Sequence, residues 1–157
     1  MQIYLGSDHG GFQIKEELKH QLLFDYPDFV VEDCGAFSYQ ADDDYPMFAF
    51  AVASKTVAAL ESGQAALGIL LCRSGSGMVI AANKVSGARA VEIYSEGVAK
   101  HTKAHNQANI IAFAGDFLSL KQTIFLLDVF LKTQIDNDGR HQRRLQQIND
   151  FEQQLRR

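Results

Sequence analysis

The chain is poor in cysteine, has no excess of positive charge and has no apolar run long enough to span a bilayer. Its 157 residues hold two cysteines, Cys34 and Cys72. Two cysteines make neither a disulfide framework nor a metal-ligand spacing. Both close apolar strand-like segments, which favours two reduced thiols, although the sequence alone leaves a Cys34–Cys72 bridge open. The net charge of -4 gives no basis for a nucleic-acid partner. With no bilayer-length apolar run, no membrane partner is expected. The opening MQIYLGSDHGG has no basic region and no signal-like apolar stretch, and the reading is a cytoplasmic protein. No internal repeat, low-complexity tract or interdomain linker is visible.

What is there suits one domain over residues 1–157. Hydrophobic residues make up 46% and charged residues 22% of the chain, enough for one core and hardly for two. Strand-like segments are expected at 2–5, 29–33, 67–71, 88–93 and 109–114. Helical patterns fall between them, at 12–23, 48–60, 79–84 and 97–102, and a long one follows at 118–133. In the first helix Phe12, Ile14, Leu18, Leu22 and Leu23 share one side. Pro46 suits a first helical turn. Strands alternating with helices across short loops predict an α/β fold with a parallel sheet covered on both faces. The βα loops meet at one edge, where Asp8-His9, Cys72–Gly77, Tyr45 and the neighbours of Asn109 are expected together. Asp42-Asp43-Asp44 reads as an acidic cluster in a polar loop. The segment 140–157 is a helix too polar for a core, suited to a surface or a partner.

The most informative stretch is LGILLCRSGSGMVIAANK, residues 67–84. An apolar strand ends on Cys72, a glycine-rich turn follows, and a helix opens near Met78. A thiol at a strand's C-terminal end stands where open α/β sheets bind ligands. Bare N–H groups at a helix start form an anion site. The following N–H groups and Arg73 are expected to lower the Cys72 pKa. The plain alternative is an inert buried cysteine beside a tight turn. No Gly-Lys-Ser/Thr follows, and Gly75-Ser76-Gly77 does not extend to GxGxxG, so neither nucleotide fingerprint is present. Asp8-His9 offers a carboxylate beside an imidazole, for proton handling or hydroxyl binding. Its plain role is capping the helix near Phe12. His105-Asn106 precedes the fifth strand, and alone reads as surface, as do His20 and His101. Arg140, His141 and Arg144 suit a phosphate, or else a solvated basic face.

Five motifs occur in one order: GSDHGG at 6–11, DYP at 44–46, CRSGSGMVIAANK at 72–84, HNQAN at 105–109 and GRHQRR at 139–144. In this the chain resembles the type B ribose-5-phosphate isomerases and the related galactose-6-phosphate isomerase subunits, from Ile3 to about Ile148. The resemblance implies a Rossmann-like three-layer sandwich with a five-stranded parallel sheet. It implies an aldose–ketose isomerase acting through a cis-enediolate, with no metal and no cofactor. It implies a homo-oligomer, dimer or tetramer, whose active sites use two chains, and a C-terminal helix that extends to the partner.

Carried over by position, Cys72 moves the proton between C1 and C2. Ser74 stands where many members have threonine and serves O1 and O2. The N–H groups of Gly75, Ser76, Gly77 and Met78 hold the enediolate. Asp8 and His9 bind the sugar and its ring oxygen, His105 assists ring opening, Asn106 binds hydroxyls and Tyr45 lines the ring. Arg140, His141 and Arg144 surround the phosphate. The chain departs from the pattern in four places. Asp116 stands where much of the family has a phosphate-binding arginine, Arg73 replaces a glycine, Met47 an acid, and Asn137–Gly139 an EGG. Arg73 is expected to repay part of the charge lost at Asp116. Ribose 5-phosphate leads as substrate. A six-carbon sugar phosphate, an unphosphorylated sugar and a non-catalytic sugar-phosphate binder remain alternatives. The missing GxGxxG opposes a stand-alone nucleotide-binding domain.

Overall fold

The computed structural model describes residues 1–155. Five strands, β1 (Gln2–Ser7), β2 (Val30–Asp33), β3 (Ala66–Cys72), β4 (Ala90–Glu92) and β5 (Ile110–Ala114), form one parallel sheet in the order β2-β1-β3-β5-β4. Between and after them run α1 (Phe12–Asp25), α2 (Tyr45–Glu61), α3 (Ser76–Ala82), α4 (Glu96–Ala104), α5 (Leu120–Lys132) and α6 (Gly139–Leu155). Each parallel crossover needs its own helix, and so both sheet faces are covered. The last two residues of the C-terminal helix expected at 140–157 lie outside the described residues.

The alternation of β3 divides the core. Leu67, Ile69 and Leu71 join Leu18 and Leu22 of α1, Ala99 of α4 and Leu127 and Phe130 of α5 in one layer. Leu70 and Cys72 turn to the other face, against Ala49, Val52 and Ala53 of α2 and Met78 and Ala82 of α3. Strands paired on both sides must be apolar on both faces, which explains the unbroken run in β3.

Helix α1 departs from the expected apolar face. Leu18 and Leu22 are buried, whereas Leu23 is exposed, because one further residue turns it 100° away from the sheet. Lys15 is fully buried instead. Its ammonium donates to both oxygens of Asp33, at 2.8 and 2.9 Å, and to the Ala36 carbonyl. Lys19 also reaches Asp33, at 2.7 Å. Burial pushes the Asp33 carboxyl up, but the two ammonium groups and the Gly35 N–H outweigh it and hold it below its ordinary value. A buried charge needs this degree of pairing. The network ties α1 to the end of β2 and to the loop beside Ser7.

Candidate active site

β1 and β3 are neighbours, yet β1 leads through α1 to one side while β3 is entered from β2 through α2 on the other. This is the topological switch point, where the loops leaving adjacent strands diverge and leave a crevice. Ser7 pairs in register with Leu71, so Asp8 and Cys72 follow side by side at that crevice.

Cys72 is 5% exposed, on the α2–α3 face. Gly75 donates its N–H to the sulfur at 3.0 Å. The turn allows this because Gly75 adopts φ +79°, where a side chain would be strained. A Cβ there would also stand 2.9 Å from the carboxyl carbon of Glu92. Burial pushes the thiol up, and the nearby Asp8 carboxylate adds to this; the N–H groups of Gly75, Met78 and Ser74 oppose it without prevailing. This corrects the expectation of a lowered pKa. Desolvation of the thiolate exceeds what the turn returns, and the Arg73 side chain is well exposed.

Asp8 is buried, and its Oδ1 accepts from the Gly11 N–H at 3.1 Å as the chain turns into α1. Burial pushes its carboxyl above the ordinary value, with the Gly11 N–H and His9 pulling the other way. His9 lies against Asp43, from the loop preceding α2. Tyr45 opens α2 and its ring covers Gly77; a Cβ on Gly77 would stand 2.9 Å from Cζ. The Ser74 and Ser76 hydroxyls are 2.9 Å apart. Arg73 crosses Gly10 and stands 3.7 Å from Asp116, in the loop after β5. Asp8, His9, Tyr45 and the whole segment Cys72–Met78 therefore share one edge of the sheet. Asp43 and Glu92 join them unannounced by the sequence, where only Asp43's place in an acidic run was a signal.

The remaining candidates form a second cluster. His105 closes α4 and stacks on His141 of α6, centroids 4.1 Å apart and planes 2° from parallel. Asp136 stands 3.8 Å from the Nε2 of each. Desolvation lowers the His105 pKa, the neighbouring His141, His101 and Arg140 add to this, and Asp136 partly offsets it. Arg140 reaches Asp138 at 2.9 Å. With Asn106, Arg89 and Arg144 the two histidines line a cleft of about 510 Å³. His105, Asp136 and His141 are the described group nearest to a metal-ligand set. Parallel stacked rings, however, aim their nitrogen lone pairs along separate planes and not at one ion.

This second cluster lies at the opposite edge of the sheet, which corrects the expectation that the neighbours of Asn109 join Asp8 and Cys72. Helix α4 runs back from the end of β4, and His105 emerges beside the start of β5. Asn109 accepts there from Gly68 at 2.9 Å, while Cys72 pairs with Ala114 at the strand's far end. The four residue steps from Gly68 to Cys72 alone span about 13 Å. His105, Asn106, Arg140, His141 and Arg144 are thus a coherent group apart from Cys72 within one chain.

Two motif asparagines work as staples. Asn109 accepts from the Arg89 N–H at 2.7 Å and donates to the Gly87 carbonyl at 2.8 Å. Asn83 does the same with both main-chain groups of Ala90. Helix α6 packs beside this region, Glu152 accepting from the Gly87 N–H. Among the described residues no helix is long and apolar enough to cross a membrane.

A family model described as Ribose/Galactose Isomerase matches residues 3–148. A ribose-5-phosphate isomerase B of Mycolicibacterium paratuberculosis is 41% identical over 152 residues, covering 97% of this chain and 92% of that protein. Among solved structures, the ribose-5-phosphate isomerase B of Mycoplasma genitalium with bound ribulose-5-phosphate superposes with a TM-score of 0.87. It is 37% identical, over 97% of this chain and 96% of that one. The type B ribose 5-phosphate isomerase of Trypanosoma cruzi gives a TM-score of 0.88 at 32% identity, over 98% and 99% of the two chains.

Proposed function

Because this chain belongs to the ribose/galactose isomerase family, we propose that it interconverts ribose 5-phosphate and ribulose 5-phosphate through a cis-enediolate. The observation that carries this reading is the Cys72 sulfur 3.0 Å from the Gly75 N–H, beside Asp8 at the switch point. A base and an array of N–H donors stand within reach of one small ligand.

Cys72, as thiolate, takes the proton from the carbon next to the carbonyl and returns it to the neighbouring carbon. The proton is acidic enough only if the enediolate oxygens are held, and preorganised donors there are usually the largest single contribution. The N–H groups of Gly75, Ser76, Gly77 and Met78 and the Ser74 hydroxyl supply them. Asp8 and His9 bind the sugar near its ring oxygen, and Tyr45 lines the ring. The pushed-up Asp8 carboxyl suits a group that exchanges hydrogen bonds with hydroxyls.

His105, Asn106, Arg140, His141 and Arg144 complete the site from a second copy of this chain. The separation of the two clusters within one chain supports that arrangement. His105 assists ring opening, Asn106 binds hydroxyls, and Arg140, His141 and Arg144 hold the phosphate. α6, with its polar surface, then lies at the junction of two subunits. A reducing cytoplasmic setting suits the two free thiols.

The test is an isomerase assay on ribose 5-phosphate with Cys72→Ala alongside, followed by six-carbon phosphates and unphosphorylated aldoses. Turnover of ribose 5-phosphate that collapses in the variant is expected. Turnover of another sugar instead would replace the substrate, and inactivity on the whole panel would favour a binding protein.

A further inference from the structure

We propose that His101 is a positioning residue of His105: its imidazole is the outer ring of a three-ring stack that holds the His105 ring in plane for its part in opening the sugar ring. This rests on the isomerase reading above. By sequence His101 is a surface histidine, and in the fold it is exposed, so burial does not account for where its ring lies.

His101 and His105 stand four residues apart on α4, the spacing that sets one side chain above another on a helix face. Their ring centroids are 4.8 Å apart and their planes 18° from parallel. The His141 ring stacks on His105 at 4.1 Å and 2°. An imidazole face is too small for two such neighbours, so the two rings flank His105. The torsion that turns a histidine ring is broad when nothing confines it. Here that rotation drives the edges of the His105 ring into both neighbours, and the stack fixes the plane in which its nitrogens point.

The two flanking rings are held differently. The His141 side chain is 9% exposed, and its Nε2 accepts from the Arg140 Nε–H at 3.3 Å. Its ring hydrogen therefore sits on Nδ1. The His101 ring, among the described residues, makes no hydrogen bond, and His105 is the one ring it stacks on. The main chain adds a tie, the His105 N–H donating to the His101 carbonyl at 2.9 Å as α4 ends.

The charged and titratable groups around His105 are His101 on its own helix, Asp136 in the segment before α6, and Arg140, His141 and Arg144 of α6. Positive charge on His101, His141 or Arg140 opposes a charge on His105, and Asp136 favours one. Like charges four residues apart on a helix repel. A ring that must exchange a proton is served by neighbours that keep it from holding the charge.

Ribulose 5-phosphate provides the contrast for a test. Its C5 oxygen is esterified, so it cannot close a five-membered ring on C2 and needs no ring opening. His101→Ala removes the outer ring, His101→Phe keeps a flat ring without a charge, and His20→Ala removes another exposed histidine. Two rates are read at saturation: turnover of ribose 5-phosphate, and wash-in of solvent deuterium at C1 of ribulose 5-phosphate by NMR. His101→Ala is expected to lower the first by about three- to tenfold, a small part of what a positioned acid–base group contributes, while the second changes by less than about twofold. His101→Phe restores most of the turnover, and His20→Ala leaves both rates in place. Nitrogen NMR across pH gives a readout besides activity: the titration midpoint of His105 rises in both His101 variants and not in His20→Ala. Full turnover in His101→Ala, an equal loss of both rates, no restoration by His101→Phe, or a His105 midpoint indifferent to both variants overturns the proposal. A wild type that catalyses neither rate refutes the isomerase reading itself.

Discussion

Arg73 and Asp116 face each other across the rim of the crevice, Nη1 to Oδ2 at 3.7 Å, and the Asp116 N–H donates to the Arg73 carbonyl at 3.0 Å. Two of the departures from the family pattern are thus one local unit. An anion at position 116 opposes a phosphate dianion, and the Arg73 guanidinium beside it, on a side chain whose stem passes Gly10, offsets that charge. Both side chains are about half exposed or more, so the pair adds little stability and acts mainly through local charge.

Arg73→Ala is accordingly expected to raise KM for ribose 5-phosphate by about tenfold, roughly 1.4 kcal/mol. The Arg73→Ala/Asp116→Ala double variant should recover most of that loss, because the uncompensated carboxylate goes too. Steady-state kinetics on the four forms checks the cycle; additive losses would break the link between the residues.

Cys72→Ala is expected to lower kcat by about 10²–10⁴-fold, the usual contribution of a positioned base. Circular dichroism should show an unchanged fold, since the substitution removes one sulfur from surroundings that otherwise stay packed.

Because burial raises the Cys72 thiol, its thiolate is scarce at neutral pH and increases with pH through the alkaline range. Alkylation by iodoacetamide should therefore be slow at pH 7 and gain about tenfold per pH unit. Cys34, pushed up to about 11, should follow at higher pH. Peptide mass spectrometry separates the two. Rapid labelling of Cys72 at pH 7 would restore the lowered-pKa reading.

Cys72→Ala and His105→Ala damage opposite edges of one chain. If active sites join two chains, each variant alone is inactive. Co-expressed, they form some dimers with one intact site, and about a quarter of wild-type activity returns when subunits mix at random. No recovery in a confirmed mixed dimer would mean that the two clusters do not serve one site.

Asp33 has a depressed pKa in the fold, so its stabilising contribution is present above its unfolded value near 4 and is lost as pH falls through its folded value. Denaturant midpoints should decline below about pH 4. Lys15→Ala is expected to cost about 3–5 kcal/mol and to flatten that acid limb. A midpoint indifferent to the substitution would remove Lys15 from the network that holds α1 to β2.

The α/β class was legible because alternating periodicities and short loops admit few arrangements, and the glycines of the Cys72 turn could be read because backbone geometry demands them. The apolar run of β3 marked a central strand and put Cys72 at its end. Lys15 was not legible: its helical pattern cannot announce that the end of β2 and the loop after it will bring a carboxylate and a carbonyl to its ammonium. Asp43 looked like its neighbours because its partner is 34 residues away.

By itself the sequence determined the elements, the glycine turn, and which residue types could serve a proton-transfer site. These depend on local backbone geometry and on patterns within a few residues. Only the tertiary structure decided which groups meet. Strand order made β1 and β3 neighbours and set Asp8 beside Cys72. The direction of α4 carried His105 to the other edge, because a helix that returns between parallel strands must end where the next strand begins. Burial, a property of the packed whole, then outweighed the N–H groups of the turn and decided the protonation of Cys72.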